Sequence, residues 1–397
     1  MGPASLGSAL REGTHGGDCL RHDMWPWGAT SLEFNGVNMR KPVRSLALLS
    51  VAALAVGMGL SGSANAAQAG DPEVIAKGVP SPLSLAVAKD GSAYVTANFA
   101  GMLWHVAKGQ PPQILFTAPE KGAEVAGVSR SGNTVTFTVS GKNKVVKQMV
   151  NGAKPTTLAD VGKYEASKNP DKGQTYGLQG GTADCVAQWP VKDLGPATYT
   201  GIVDSHPFST YTTADGVYVG EAAGNDILWV GNDGKIKTVA VLPPTPVTIT
   251  AEAAEANKIP ACAVGLEYWF EPVPTDVELG NDGWLYVSSL PGGPEDGSTG
   301  PQGRVYKVNP KSGKVKLVAG GFISTVDVAV ASNGDVYVAE LFTGTIKKIK
   351  AGSSKAKPFA QLTQVGAIEL AKGYLYATDN ALIGEKNPKG TVVRIKL

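Results

Sequence analysis

Pro274 to Val287 reads PTDVELGNDGWLYV, Ser324 to Val338 reads STVDVAVASNGDVYV, and Ser81 to Val95 reads SPLSLAVAKDGSAYV. These stretches share a short apolar strand, a turn that contains glycine, and a second strand that ends in Tyr-Val. Looser copies lie at His206 to Val219, Val365 to Ala377 and Glu124 to Phe137. Repeats of about 40–50 residues built from short strands are typical of β-propeller blades. The pattern therefore predicts an all-β, six-bladed β-propeller.

The last blade is predicted to combine strands from both ends of the propeller domain. The segment GTVVRIKL, Gly390 to Leu397, resembles the third strand of other blades, and no fourth strand follows it. The segment PEVIAKGV, Pro72 to Val79, can supply that strand. Because this pairing leaves no open sheet edge, we predict that the N-terminal strand closes the last blade.

The spacing of the second strands predicts two insertions. These strands are marked by Tyr94, Thr136, Tyr218, Tyr286, Tyr337 and Tyr376. Two of the intervals are much longer than a blade of about 40–45 residues requires. We therefore predict insertions near residues 161–200 and 243–272, within one propeller domain that spans residues 67–397. Their content of Pro, Gly and small polar residues is typical of long loops that cover or form a site.

The N-terminal region has the features of a secretory signal peptide. Met39 is followed by basic residues, by an apolar run from Leu46 to Leu60, and by Ala64-Asn65-Ala66. This order predicts a signal peptide over residues 39–66 with cleavage near Ala66. A membrane anchor is the alternative, but the run is short for a bilayer span. We expect a secreted, periplasmic or cell-envelope protein without a membrane span after cleavage, and we interpret residues 1–38 as a mis-assigned extension.

The cysteines support an oxidising compartment. Of three cysteines, Cys19 lies in the predicted extension, whereas Cys185 and Cys262 fall one in each insertion. Two cysteines in an exported chain are expected to form a disulfide. The alternatives are two free thiols, or a catalytic cysteine, which would need a base such as His206.

The charge of the chain excludes one class of partner. The formal net charge is +2, and no block of Lys and Arg is present. A near-neutral chain gives no electrostatic reason to expect a nucleic-acid partner. We expect a monomer that binds a small molecule or an extracellular protein.

Several motifs in the predicted propeller domain resemble those of the ScyD/ScyE family of exported six-bladed propellers. They are Tyr164-Glu165-Ala166, Asn169-Pro170-Asp171, Asp204-Ser205-His206-Pro207-Phe208, Val273 to Val277, Gly280 to Val287, Gly321-Phe322 and Asp327-Val328-Ala329. The chain departs from the family pattern at His206, where the family usually has Asn, and at Ser288-Ser289, where it tends to have Gly-Glu. The resemblance implies an exported propeller with no established reaction. More distantly, the repeats are similar to NHL repeats and to gluconolactonase-like and strictosidine-synthase-like propellers.

A column of residues on the predicted innermost strands is the candidate ligand site. Counting back from each turn glycine gives Ser84, Val125, Ser209, Asp276, Asp327 and Gly366. Two carboxylates from adjacent blades, with hydroxyls nearby, could hold a hard cation such as Ca²⁺. We therefore predict ligand-binding roles for Ser84, His206, Ser209, Thr275, Asp276 and Asp327, with Asp276 and Asp327 as metal ligands. The alternative is that these groups cap strand ends and bind water.

Other polar and aromatic residues have two interpretations each. A second column follows the Tyr-Val strands, at Asn98, Glu221, Ser289, Glu340 and Asp379. Its repetition favours a structural role in turn hydrogen bonding. His206 could act as a general base or as an ordinary loop residue. The run Tyr268-Trp269-Phe270 could cover the channel mouth or anchor the second insertion.

The sequence leaves the function open between classes. No nucleophile elbow, zinc-protease motif, P-loop or dinucleotide fingerprint is found in a suitable context. The first hypothesis is a binding propeller, and the second is a lactonase-like hydrolase that uses a cation at Asp276 and Asp327. The third, a role in modifying an extracytoplasmic metabolite, rests on the resemblance alone. No catalytic residue is assigned, because fold does not choose among these functions.

Overall fold

The structure is a computed structural model that describes residues 70–293, 299–383 and 388–397. The predicted extension and signal peptide, residues 1–66, lie outside the described residues. No helix in the described ranges is both long enough and apolar enough to span a membrane.

Short β-strands form most of the described chain. They are β1 (Glu73–Val79), β2 (Leu85–Val87), β3 (Ala93–Ala97), β4 (Met102–Val106), β5 (Gln113–Thr117), β6 (Glu124–Ser131), β7 (Thr134–Ser140), β8 (Lys144–Val150), β9 (Thr156–Asp160), β10 (Thr175–Gln179), β11 (Thr198–Thr200), β12 (Pro207–Thr212), β13 (Gly216–Glu221), β14 (Asp226–Gly231), β15 (Ile236–Val241), β16 (Thr245–Thr248), β17 (Glu267–Phe270), β18 (Pro274–Leu279), β19 (Leu285–Ser289), β20 (Gly303–Val308), β21 (Val315–Phe322), β22 (Thr325–Val330), β23 (Val336–Glu340), β24 (Thr345–Ile349), β25 (Ala356–Gln361), β26 (Ile368–Ala371), β27 (Tyr374–Asp379) and β28 (Gly390–Lys396).

Helices occur only between β9 and β18 in the described ranges. They are α1 (Val161–Lys168), α2 (Ala183–Ala187), α3 (Val191–Leu194), α4 (Ala251–Ala256) and a 3₁₀ turn at Ala261–Ala263. All of them fall in the insertions that the spacing predicts.

The described strands form seven four-stranded sheets. Six of them contain the repeated pattern, and we call these the repeat sheets; their strand orders are β2-β3-β4-β5, β6-β7-β8-β9, β12-β13-β14-β15, β18-β19-β20-β21, β22-β23-β24-β25 and β26-β27-β28-β1. The predicted Tyr-Val strands are the second strands of these sheets, as expected.

The repeat sheets form where tight turns and buried strands alternate along the chain. Gly91, Gly283 and Gly334 have φ values of 92°, 73° and 86°, a region that favours glycine at hairpin turns. The second strands β19 and β23 are buried along their whole length, because neighbouring sheets cover both of their faces. Val and Tyr suit such strands because they pack well on a pleated surface.

Strand β1 completes the last repeat sheet, which confirms the predicted use of the N-terminal strand. It pairs antiparallel with β28, with Glu73 opposite Arg394. The Arg394 Nε lies 2.7 Å from Glu73 Oε2. Residues about 320 apart in sequence are thereby held in one sheet.

The first strands of the repeat sheets contact one another in cyclic order. Strand β2 contacts β6, β6 contacts β12, β12 contacts β18, β18 contacts β22, β22 contacts β26, and β26 contacts β2. These strands therefore surround a central axis, and we call the space that they enclose the channel.

The two insertions join in a seventh sheet, the insertion sheet, with strand order β11-β10-β17-β16. The insertions were predicted to be long loops, but they also contribute the four strands of this sheet. Each insertion connects the fourth strand of one repeat sheet to the first strand of the next, so both start at the same end of the strands. Cys185 and Cys262 form the predicted disulfide between them, with a Cα–Cα distance of 5.8 Å.

The insertion sheet has its own apolar core. Leu178, Trp189, Ile249, Tyr268 and Phe270 are buried in it. The Trp189 and Tyr268 rings stack with 5.8 Å between their centroids. Of the two roles considered for the aromatic run, Tyr268 and Phe270 therefore have the anchoring one.

Candidate functional site

Four carboxylates project from the first strands into the channel, and we call them the channel carboxylates. Asp276 and Glu278 lie on β18, Asp327 on β22 and Glu369 on β26. Asp276 and Glu278 share a face of β18 because side chains two residues apart in a strand point the same way. Asp276, Glu278 and Glu369 keep part of their surface exposed, whereas Asp327 is buried.

The channel carboxylates also connect neighbouring repeat sheets. The Val328 N–H donates to Asp276 Oδ2 at 3.3 Å, and the Val87 N–H donates to Glu369 Oε2 at 2.5 Å. Ser84 Oγ accepts from the Val128 N–H in the same way, at 3.0 Å. The first strands of adjacent sheets share no hydrogen-bond ladder in the described ranges, so buried N–H groups there need side-chain acceptors. Ser84 and Asp276 therefore have a structural role, and their predicted ligand-binding role stays a prediction.

Burial shifts the pKa values of the channel carboxylates upward. It raises the pKa of Asp276 to about 7 and that of Glu369 to about 8. Burial and the charge of Asp276 raise the pKa values of Glu278 and Asp327 well above their usual range. Carboxyl groups that titrate near neutral pH can donate or accept a proton, which is the property of a general acid or base.

Few groups of opposite charge face the channel carboxylates. Among the described residues, Arg130 on β6 acts electrostatically on Glu369 and lowers its pKa in part. Tyr211 on β12 has its pKa raised to about 12 by burial and by the charges of Glu278 and Glu369. The channel is therefore a polar, predominantly acidic space.

The remaining predicted site residues lie at the channel wall and at the end of β12. Thr275 is buried, with its hydroxyl 2.9 Å from Ser288 Oγ and donating to the Thr325 carbonyl at 3.2 Å. Ser209 is buried, and its hydroxyl has no hydrogen-bond partner among the described residues.

His206 is placed against a carboxylate of the adjacent sheet. Its Nε2 lies 3.3 Å from Glu124 Oε2, which also accepts from Asn98 Nδ2 at 3.0 Å. Burial opposes ionisation of Glu124, but His206 and Asn98 together lower its pKa. His206 therefore connects two repeat sheets, and in the part of the chain that the structure describes its ion-pair partner is Glu124 rather than a channel carboxylate.

The geometry does not assemble a ready metal centre. Within the described ranges, no three His, Cys, Asp or Glu side chains are arranged closely enough to hold a metal ion. Asp276 and Asp327 face the same channel, but a cation bound there would need its other ligands from Ser, Thr, carbonyl or water oxygens.

The second column bonds to the segments that lead into the first strands. The Ile323 N–H donates to Glu340 Oε1 at 2.5 Å, and the Thr363 N–H donates to Asp379 Oδ1 at 2.8 Å. The Ser205 hydroxyl donates to Glu221 Oε1 at 2.8 Å, and the Ser289 hydroxyl donates to the Pro272 carbonyl. These contacts agree with the structural role favoured by repetition.

A second group of acids, which the sequence analysis did not single out as a site, lies where the insertions meet β13 and β14. We call it the buried acid cluster; it contains Glu165, Asp171, Glu221, Asp226 and Glu271, each at most 5% exposed. Two of its members, Glu165 and Asp171, belong to the motifs that carry the family resemblance. These motifs were the only indication of the cluster in the sequence. Residue spacing could not show that the five acids lie together, because their segments are far apart in sequence.

Hydrogen bonds reach some oxygens of the buried acid cluster but not others. Asn225 Nδ2 donates to Asp171 Oδ2 at 3.0 Å and to Glu271 Oε2 at 3.2 Å. The Tyr176 hydroxyl also donates to Asp171 Oδ2, at 3.0 Å. Glu165 Oε1, Asp171 Oδ1 and both carboxylate oxygens of Asp226 have no partner among the described residues.

Burial and mutual repulsion raise the pKa values of this cluster. Burial raises the pKa of Glu221 to about 7 and that of Glu271 to about 7. Burial and the charges of Glu221, Asp171 and Asp204 raise the pKa of Glu165 to about 8. The pKa of Asp226 is raised well above its usual range for the same two reasons.

Solved structures show similarity to this fold. An aldose sugar dehydrogenase from Streptomyces coelicolor, in its PQQ-bound form, aligns with a TM-score of 0.52 and 13% identity, covering 82% of this chain and 98% of that chain. A putative oxidoreductase (glucose dehydrogenase) from Thermus thermophilus aligns with a TM-score of 0.52 and 13% identity, covering 82% of this chain and 99% of that chain. At such identities the likeness concerns the fold alone, which is β-propeller-like. No family model and no curated protein sequence matches the chain.

Proposed function

We propose that the protein is an exported six-bladed β-propeller that binds a small, positively charged molecule in its channel. The repeat sheets are the blades, and the insertion sheet is an addition at one end of the channel. The cyclic contacts of the first strands support six blades. The structural similarities support the propeller architecture.

One observation carries the choice of ligand. Glu278 and Glu369 both remain partly exposed in the channel, and the charge of Glu369 acts on Glu278. A ligand with an ammonium group would offset the repulsion between the two carboxylates, and its hydroxyl groups could donate to their oxygens.

The test compares charged and neutral probes of similar size. Glucosamine should raise the melting temperature of the protein, and glucose should raise it much less. The double variant Glu278→Gln/Glu369→Gln should lose the glucosamine effect, whereas Glu255→Gln, on the exposed face of α4, should retain it. Equal shifts with both sugars, or a full response in the double variant, would contradict the proposal.

A hydrolase of the lactonase-like type is the second candidate. It is favoured by the placement of Asp276 and Asp327 on adjacent first strands, where the charge of Asp276 acts on Asp327. A Ca²⁺ ion there would polarise a substrate carbonyl, and a neighbouring carboxyl group would move the proton. Asp276→Asn should then abolish Ca²⁺-dependent lactone hydrolysis; hydrolysis that persists without Ca²⁺ would contradict this candidate.

Export is part of the proposal. It is supported by the leader pattern of residues 39–66 and by the Cys185–Cys262 disulfide, since disulfides persist in oxidising compartments. N-terminal sequencing of the protein recovered outside the cytoplasm should begin near Ala67. A chain that keeps Met39 after export would contradict cleavage at this site.

A further inference from the structure

The buried acid cluster joins three parts of the chain. Glu165 lies on α1 of the first insertion, Glu221 and Asp226 flank the turn between β13 and β14, and Glu271 follows β17 of the second insertion. This cluster is separate from the channel carboxylates. Any group bound here would therefore attach the insertions to a repeat sheet.

Asp226 is the clearest sign that a partner belongs in the cluster. Its side chain is 0% exposed, and neither of its carboxylate oxygens has a hydrogen-bond partner among the described residues. The charges that act on it are those of Glu221, Glu165 and Asp171. Burying a carboxylate without any partner is costly, so native proteins rarely keep one.

Two further oxygens beside it also lack a partner in the part of the chain that the structure describes. They are Oε1 of Glu165, which is 3% exposed, and Oδ1 of Asp171, which is 1% exposed. No Lys or Arg in the described ranges forms an ion pair with any of the five acids. The described residues therefore supply acceptors in excess and no compensating cation.

Gly224 leaves space between two of these carboxylates. Glu221 Oε2 accepts from the Gly224 N–H, and a Cβ atom at Gly224 would lie 2.9 Å from that oxygen and 3.3 Å from Glu165 Oε2. The two oxygens thus border one small space that any larger residue would fill. A group bound at this position would therefore contact Glu221 and Glu165 together.

We propose that a hard divalent cation binds between Glu165, Glu221 and Asp226, and fixes the first insertion to the β13–β14 turn. Calcium accepts six to eight oxygen ligands, including carbonyl and water oxygens, so the carboxylates need not form the whole shell. No three of the described side chains are as close together as metal ligands, so the proposal requires these carboxylates to move toward the ion as it binds. The ion supplies the positive charge that the described Lys and Arg residues do not.

The experiment measures Ca²⁺ binding to the EDTA-treated, purified protein by calorimetry. We expect one equivalent of Ca²⁺ to bind, and saturating Ca²⁺ to raise the melting temperature by about 3–5 °C. It should also slow tryptic cleavage after Lys168, at the end of α1. Glu165→Gln and Asp226→Asn should each weaken binding at least tenfold.

Two further variants test where the Ca²⁺ ion binds. Asp276→Asn/Asp327→Asn changes the channel and should leave this binding intact, so loss of binding there would assign the ion to the channel and overturn the proposal. Gly224→Ala keeps every carboxylate but fills the space between Glu221 and Glu165, and it should weaken Ca²⁺ binding. No binding by the wild type, or unchanged binding in Glu165→Gln, would also overturn it.

Discussion

A single side chain, Asn225, connects both insertions to a repeat sheet. Its Nδ2 donates to Asp171 in the first insertion and to Glu271 after β17, and its Oδ1 accepts from the Val273 N–H at 3.2 Å. Asn225 is 1% exposed and has φ of 58°, a conformation that Asn tolerates better than most residues. One short amide therefore satisfies polar groups from two segments and joins them to its own repeat sheet.

Replacing Asn225 should be costly. We expect Asn225→Ala to lower the free energy of unfolding by about 2–4 kcal/mol, because it leaves buried oxygens and one N–H without partners. Urea unfolding followed by tryptophan fluorescence measures the change.

The matched control is an exposed asparagine in the same repeat sheet. Asn232 makes one side-chain bond, from Nδ2 to the Ala214 carbonyl at 2.8 Å. Asn232→Ala should change stability by less than about 0.5 kcal/mol. Equal effects of the two substitutions would show that Asn225 has no special role.

The contacts of individual side chains were the hardest feature to predict from the sequence. The channel column was found because Asp276 and Asp327 sit at equal distances from their turn glycines. The contact between His206 and Glu124 was not found, since the two residues belong to different repeat sheets. Spacing within one repeat indicates which face a residue occupies, but not what approaches it from the next repeat.

Although strand β1 is a short element, its removal should affect the stability of the whole domain. It covers the edge that β28 would otherwise expose, and sheet edges of this kind pair with other chains. A chain that begins at Pro80 should therefore aggregate or unfold at a markedly lower temperature than one that begins at Gly70. Size-exclusion chromatography and thermal unfolding compare the two. A monomeric, equally stable chain from Pro80 would contradict the closing role of β1.

We expect the Cys185–Cys262 disulfide to stabilise the insertions more than the repeat sheets. It closes a segment of 77 residues that includes β12 to β15. Loop-closure entropy over that length stabilises the folded state by up to about 4 kcal/mol. Cys185→Ser/Cys262→Ser should show increased proteolysis near α2 and α4 before the repeat sheets unfold. Uniform loss of all structure at one midpoint would contradict a local role.

The repeat sheets and the insertion sheet differ in how far sequence could predict them. Hairpins such as β18–β19 have a local turn signal, an Asp-Gly pair between two apolar strands. Strands β10 and β17 pair across about 90 residues and are only four or five residues long. Nothing local specifies that pairing, and the buried acid cluster depends on it.

At the scale of the whole molecule, the channel carboxylates and the buried acid cluster determine how the free energy of unfolding should respond to pH. Burial raises the pKa of Glu369 in the channel to about 8, and the pKa of Glu221 in the buried acid cluster to about 7, from an ordinary value of 4.5. The folded state therefore binds more protons than the unfolded state between these values. Stability must fall as pH rises through that window.

The ion pair that closes the last repeat sheet does not alter this expectation. Hydrogen bonds from Arg394 and Lys108 lower the pKa of Glu73 to about 2. Its contribution is complete above about pH 4.5 and is lost only as pH falls toward 2. Measurements above pH 5 therefore isolate the acids whose pKa values are raised.

We expect the melting temperature in EDTA to be about 5 °C higher at pH 5.5 than at pH 8.0. Glu369→Gln removes one group that must lose its proton in this window, so the difference should shrink in that variant. Glu255→Gln, exposed on α4, should leave the difference unchanged. A melting temperature that is constant or rises between pH 5.5 and 8.0 would mean that the buried acids are already compensated in the folded protein.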